Sequence, residues 1–201
     1  MHPESQQKII IITAPSGSGK TTLVKCLLEA DPELAFSISA CTRNPRVGEM
    51  DGRDYYFLSE QEFKQRIDED AFVEWEMVYT GKYYGTLKAE LERIWNLGKT
   101  PLVDIDVKGA LAIQTQFPDR SLSIFIKAPT LEILRERLIN RGTESPQMLE
   151  ERLNKAEYEL LDAEEFDRII VNDDLNHATQ ELVATANKFI KDGIRLEKAA
   201  T

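Results

Sequence analysis

The stretch ITAPSGSGKTT, residues 12–22, constrains this chain more than any other. It follows a short β-branched run, Lys8 to Thr13 (KIIIIT), and leads into LVKCLLEA. An apolar run that short, ended by Ala-Pro-Ser-Gly, reads as a strand buried on both faces, as in a parallel sheet. Gly19, Lys20 and Thr21 fill the last places of the phosphate-loop pattern G-x-x-x-x-G-K-[ST], with Gly17 inside it. Glycines there let backbone N–H groups point at phosphate oxygens, the lysine reaches the terminal phosphates, and the hydroxyl ligates Mg²⁺. Ala14 stands at the first glycine position, where a methyl group is tolerable if φ stays negative. Strand, loop, lysine, hydroxyl and helix are in register, so Ala14, Pro15, Ser16, Gly17, Ser18, Gly19, Lys20, Thr21 and Thr22 are expected to bind a nucleoside triphosphate.

The rest of the chain is compatible with a soluble α/β enzyme. Its 201 residues suffice for one substantial core with one or two lobes. Thirty-five acidic against 25 basic residues give a net charge of −10, which argues against a nucleic-acid surface but not against a small anionic ligand. Cys26 and Cys41 lack metal-ligand spacing. MHPESQQ is polar and no apolar run approaches a bilayer's thickness, so neither signal peptide nor membrane contact is expected and cytoplasmic residence is the default.

Four further runs resemble the first: AFSISACT, PLVDIDV, SLSIFIKA and RIIVND. Helical stripes lie among them. Leu87, Leu91, Ile94 and Trp95 form one, with Thr86 as its cap; Leu131, Leu134 and Leu138 form another. Leu149, Leu153, Ala156 and Leu160 form a third, opened by Ser145-Pro146. Alternation of this kind predicts a wound α/β sheet. Residues 43–85 break it with short strands (DYYFL, FVEWEMVY), a helix opened by SEQE and several glycines, which reads as an inserted lobe. RLINRGTESPQMLEER, residues 137–152, reads as a mobile flap. The tail after Ile190 is expected to fray. Trp75 and Trp95 are expected to pack in the core or the lobe, and the acids of residues 149–165 and of EEFDR, residues 164–168, to form a solvated face.

In LVDIDVKG, side-chain alternation predicts Asp104 and Asp106 on one face at a strand end, where a carboxylate can serve a nucleotide-borne Mg²⁺. In SISACTRNPRVGEMDGRDYYF, Ser39, Arg43, Arg46 and Tyr55 gather donors suited to a phosphate monoester.

These stretches, with FVEW, YYGT, RGTES and VNDD in the same order, resemble the guanylate kinase family of phosphate-loop nucleoside monophosphate kinases from about Lys8 to about Ile190. The resemblance implies transfer of the γ-phosphoryl of ATP to GMP with Mg²⁺, on a parallel sheet flanked by helices that carries a GMP-binding lobe and a short lid. Residues 1–36, 87–136 and 153–201 would form the core, 37–86 the lobe and 137–152 the lid. Carried over by position, Arg43, Arg46, Tyr55 and Tyr84 would hold the GMP phosphate, and Ser39, Glu74, Thr86 and Asp106 would surround the guanine. Lys20 would sit on the ATP phosphates, Thr21 and Asp104 near Mg²⁺, and Asn172 in the segment lining the adenine site. Arg137, Arg141 and Arg152 match the lid arginines and, with Lys20 and Arg43, are the expected catalytic set. Six residues separate Glu74 from Gly81, one more than the commoner spacing, which predicts a bulge before Tyr83-Tyr84; counting back from Gly85-Thr86 makes Tyr84, not Tyr83, the expected contact. Lys108 replaces a frequent glutamine. ATP and GMP are the expected partners; whether the chain forms a homo-oligomer is open. Scaffolding domains similar to this family hold phosphorylated partners without catalysis, but they lose the loop residues kept here.

Overall fold

The computed structural model describes residues 7–140 and 146–192. The chain divides into two compact units, Met1–Pro32 with Asp104–Thr201, and Glu33–Val103. The first unit opens with β1 (Ile9–Thr13), buried along its whole length, and α1 (Lys20–Ala30). The second runs β2 (Leu34–Phe36), β3 (Ala40–Cys41), β4 (Tyr56–Phe57), α2 (Glu60–Asp68), β5 (Phe72–Tyr79), β6 (Lys82–Leu87), α3 (Lys88–Asn96) and β7 (Thr100–Asp104). The chain then returns to the first unit through α4 (Val107–Gln116), β8 (Ser121–Lys127), α5 (Leu131–Asn140), α6 (Pro146–Leu161), a 3-10 turn (Ala163–Glu165), β9 (Arg168–Val171) and α7 (Leu175–Asp192).

One sheet has the order β2-β7-β1-β8-β9, and β1 with β8, β2 with β7, and β8 with β9 all pair in parallel. Both faces of β1 and β8 are covered, which is why their sequences are apolar without alternation. Asp167 of EEFDR is not on a solvated face but buried, and with Ser123 it locks the start of β9 onto β8: its carboxylate accepts from the Ser123 N–H and hydroxyl, and the Ser123 hydroxyl accepts from the Asp167 N–H. Lys8 donates to the carbonyls of Phe189 and Ile190, satisfying the last turn of α7 with a cation where the helix dipole favours one.

The second sheet, β4-β3-β6-β5, belongs to the second unit. Its Ala40, Phe72 and Leu87 pack with Phe63 of α2, and Phe63 and Phe72 stack at 4.3 Å, an arrangement worth about 0.5–1.5 kcal/mol beyond burial. The predicted helix over SEQE is α2, closed by a reciprocal capping box between Ser59 and Glu62.

The sequence predicts one strand over AFSISACT, but the chain forms two, in different sheets. The parallel pairing ends where the Ser37 N–H reaches the Leu102 carbonyl; beyond it the Ile38 N–H turns to a side chain and the Ser39 carbonyl accepts from Tyr56. Thr86 does not cap α3: it is the buried fifth residue of β6, and Leu87 holds the N-cap position without a side-chain bond. Asp106 shares no strand face with Asp104, because β7 ends at Asp104 and Asp106 caps α4 by accepting from the Gly109 N–H at 2.9 Å. Trp75 packs within the lobe, tilted against Tyr83 at 6.1 Å, and stays 45 % exposed on β5. Ser145, expected to open α6, and residues 193–201 lie outside the described residues. No helix among the described residues is long and apolar enough to cross a membrane.

Candidate active site

The first unit holds the phosphate loop. Gly17 and Gly19 sit at φ +93° and +91°, conformations that side chains rarely adopt. Asp70 alone among the described non-glycine residues has positive φ, so Ala14 departs from the glycine pattern without strain. A methyl group on Gly19 would overlap the Asn172 amide nitrogen, and one on Gly17 would press on Leu134 and Leu138 of α5. The loop is therefore shaped from outside as well as by its own sequence. Asn172, 6 % exposed, donates through its side-chain amide to the Ser18 carbonyl at 2.8 Å, while its own carbonyl accepts from Arg137 at 2.9 Å. Its amide is thus committed to the loop.

Lys20 begins α1 and forms an ion pair with Asp104. Burial pushes its ammonium down to about 8, while Asp106 and Glu159 pull it back up. Contact with the Asp104 carboxylate also favours the charged form. Thr21 follows on an exposed turn of the helix. Two arginines converge on this region. Arg152 of α6 donates to the Ser16 hydroxyl at 2.9 Å, and Arg137 keeps a second, buried guanidinium nitrogen that has no hydrogen-bond partner. Arg141 lies outside the described residues.

In the second unit, strand alternation sorts the candidates onto one sheet face. Cys41 pairs with Tyr84, and Glu74 with Thr86, so Cys41, Glu74, Tyr84 and Thr86 share that face. Tyr83 points the other way, 5.4 Å from Phe63 in the apolar cluster. Tyr84 instead lies edge-on to Tyr55 at 6.2 Å, and the Arg43 guanidinium stacks on Tyr55 at 4.7 Å. The extra residue before this pair is absorbed as a register shift between Met77 and Tyr79. Gly85 has no room for a side chain, because a Cβ would meet the Glu74 carbonyl at 2.8 Å and Phe72 at 2.9 Å. Thr86 carries a buried hydroxyl with no hydrogen-bond partner, opposite half-buried Glu74. Ser39 precedes β3, half-buried. Arg46 is exposed.

A parallel sheet with a phosphate loop at the end of β1 fits many kinases. The model of the guanylate kinase family matches residues 6–188. The chain belongs to this family. It is 46 % identical over 189 residues to a guanylate kinase of Bacteroides fragilis, covering 94 % of this chain and 93 % of that one. It is 48 % identical over 184 residues to one of Porphyromonas gingivalis, covering 91 % and 98 %. The crystal structure of guanylate kinase from Anaplasma phagocytophilum superposes with a TM-score of 0.74 at 28 % identity, over 93 % of this chain and 88 % of that one.

Within this guanylate kinase family member, three carboxylates escape the sequence reading. Glu49 accepts from both Arg43 terminal nitrogens, at 2.5 and 2.7 Å, and from the Arg46 N–H at 2.7 Å. These bonds, that of the Arg43 side chain first, hold its carboxyl well below the usual range, and Glu49 raises Arg43 in turn. Its only sequence signal is an acid three residues after Arg46 in a loop that also carries Arg43. Glu159 is not part of a solvated face: its side chain is 15 % exposed, and burial raises its carboxyl. Glu90 is the third. It falls within the apolar stripe of α3, three residues after Leu87 and four before Ile94, and an acid at such a position is the signal that periodicity offered.

Proposed function

We propose that this chain transfers the γ-phosphoryl of ATP to GMP, giving ADP and GDP. The observation that carries the acceptor assignment is the shared sheet face of the second unit, where Glu74 and Thr86 lie directly opposite each other and Tyr84 extends toward Arg43 and Tyr55. One end of that face offers a carboxylate and a free hydroxyl for a base. The other offers a guanidinium and two phenols for a phosphate.

In this reading Arg43, Arg46, Tyr55 and Tyr84 hold the acceptor phosphate, and Ser39, Glu74, Thr86 and Asp106 surround the guanine. Arg43 must loosen from Glu49 to offer its full fork. Ala14 to Thr22 cradle the ATP phosphates, and Asn172 keeps the loop in shape. Phosphoryl transfer asks the protein for alignment, charge neutralisation and exclusion of water, not for covalent help. Lys20, Arg137, Arg141 and Arg152 supply the positive charge, and no general base is needed because the acceptor phosphate is already anionic.

Mg²⁺ fits the donor set. The described residues contain no group of three or more His, Cys, Asp or Glu able to hold an ion, whereas the Thr21 hydroxyl and Asp104 carboxylate suit an ion that brings phosphate oxygens and water as its other ligands. Bound there, it would neutralise charge on the β- and γ-phosphates. Residues 37–86 act as the acceptor lobe and 137–152 as the lid. We further propose cytoplasmic residence.

The test is coupled ADP formation with GMP, AMP, CMP and UMP in turn. GMP is expected to be preferred by roughly 10⁴-fold over AMP. Equal rates would overturn the assignment. A second expectation concerns Arg152, which bonds the loop at Ser16. Arg152→Met should lower turnover by roughly 10²-fold, as for one transition-state donor lost, while the GMP dissociation constant measured without ATP stays the same. If GMP binding falls with turnover, Arg152 serves the acceptor instead.

A further inference from the structure

Glu90 sits in the first turn of α3 and is 2 % exposed. Its carboxylate accepts four hydrogen bonds. One oxygen takes the Ile38 N–H at 3.0 Å and an Arg93 terminal nitrogen at 2.8 Å; the other takes the Tyr56 hydroxyl at 2.8 Å and Arg93 Nε at 2.8 Å. Burial alone would raise its pKa, but the bonds from Arg93, Ile38 and Tyr56 outweigh that and hold it below the usual range. The carboxylate is therefore ionised and all its acceptor sites are used.

The partners matter more than the pair itself. Ile38 immediately precedes Ser39. Tyr56 immediately follows Tyr55, and its N–H donates to the Ser39 carbonyl at 2.9 Å. Glu90 itself lies four residues beyond Thr86. Three segments that bear acceptor-site residues thus meet at one buried group, through the neighbours of Ser39 and Tyr55 and through the helix that follows Thr86. An exposed Glu–Arg pair three residues apart would be a minor stabiliser of its helix. This one reaches across to two other segments.

We infer that Glu90 is a positioning residue for the GMP site, setting where Ser39 and Tyr55 stand relative to the strand that carries Thr86. The inference rests on the proposed function, since it assigns those residues to GMP. It differs from a fold-stabilising role in one respect: loss of Glu90 should fall on acceptor binding and spare ATP.

Three variants separate the contributions. Glu90→Leu removes every acceptor at similar volume and takes from the Ile38 N–H and the Tyr56 hydroxyl the oxygens to which they donate. Tyr56→Phe removes one tether and keeps the ring. Glu90→Gln keeps one acceptor oxygen for Ile38 and can turn its amide to the Tyr56 oxygen, so it loses bonding only to Arg93.

GMP and ATP dissociation constants are measured separately on each purified, folded protein, with KM and kcat alongside. Glu90→Leu is expected to weaken GMP binding and raise its KM by roughly tenfold or more, as misplaced contacts do, with kcat at saturating GMP and ATP affinity little changed. Tyr56→Phe should fall between it and the wild type, and Glu90→Gln should stay close to the wild type. If GMP affinity is unchanged in Glu90→Leu, or falls together with ATP affinity, the inference is overturned. Should Glu90→Leu not fold, unchanged GMP affinity in Tyr56→Phe overturns it instead. A wild type that does not bind GMP overturns the proposed function, a result distinct from either.

Discussion

Replacing Lys20 with alanine is expected to cut turnover by roughly 10²- to 10³-fold, the usual effect of losing one donor aimed at developing charge. The residue follows a glycine held at φ +91° and opens α1, so its ammonium starts from the place where loop N–H groups and the helix N-terminus already favour an anion. It is also held by Asp104, which fixes its direction. A group poised at about 8 by burial gains charge as pH falls below that value and loses it as pH rises through it, and a bound triphosphate shifts the balance further toward the ammonium. Alanine removes the charge and leaves Asp104, 19 % exposed, without its partner, so some stability is lost as well. Thermal unfolding separates the two effects. A folded Lys20→Ala protein with near-normal turnover in the coupled ADP assay would refute the phosphate-loop assignment.

The other large effect is on base choice. Glu74→Gln is expected to lose GMP efficiency through KM and to narrow the preference for GMP over AMP. Guanine presents two adjacent donors, N1–H and the 2-amino group, and an ionised carboxylate accepts both. Adenine presents a lone pair at N1 and nothing at C2, so in the same pose it would face a carboxylate across a half-buried strand surface. Sites built to bond a substrate group reject an analogue lacking it by roughly 10⁴-fold. Glutamine puts a donor where guanine also donates, and it removes the repulsion against adenine. Thr86, directly opposite with its buried free hydroxyl, is the neighbour that such a base would also meet. The quantity to compare is kcat/KM for GMP and AMP in both proteins. An unchanged ratio means that the base is read elsewhere.

What the sequence made legible was what local chemistry decides. The buried strand over KIIIIT, the capping box of Ser59 and Glu62, and the bulge before Lys82 follow from residue type and spacing within a few positions. That Tyr83 and Tyr84 face opposite sides of the sheet follows from counting along one strand, because side chains alternate. The misses come from where a strand ends or sits in its sheet, or from partners distant in sequence. Asp106 looks like a strand residue until the Gly109 N–H claims it as a helix cap. AFSISACT looks continuous until Glu90, 52 residues beyond Ile38, draws its middle away. Trp75 suits either core or lobe by residue type, and only the place of β5 at the edge of its sheet leaves it half exposed in the lobe. Glu159 looks like one acid among many on α6, and only burial near Lys20 sets it apart. Hydrophobic periodicity sees the face of an element but not what arrives against it.

The bond from Asn172 to Ser18 spans 154 residues, and it has a consequence for synthesis. The phosphate loop leaves the ribosome 154 residues ahead of the side chain that braces it. At about 5–20 residues per second, roughly 8 to 30 s separate the two. Throughout that interval the two left-handed glycines favour no single shape, since free glycine visits both signs of φ with similar ease. A growing chain therefore carries the full phosphate-loop sequence well before the Asn172 brace is in place. That brace arrives only with β9, which docks beside β8.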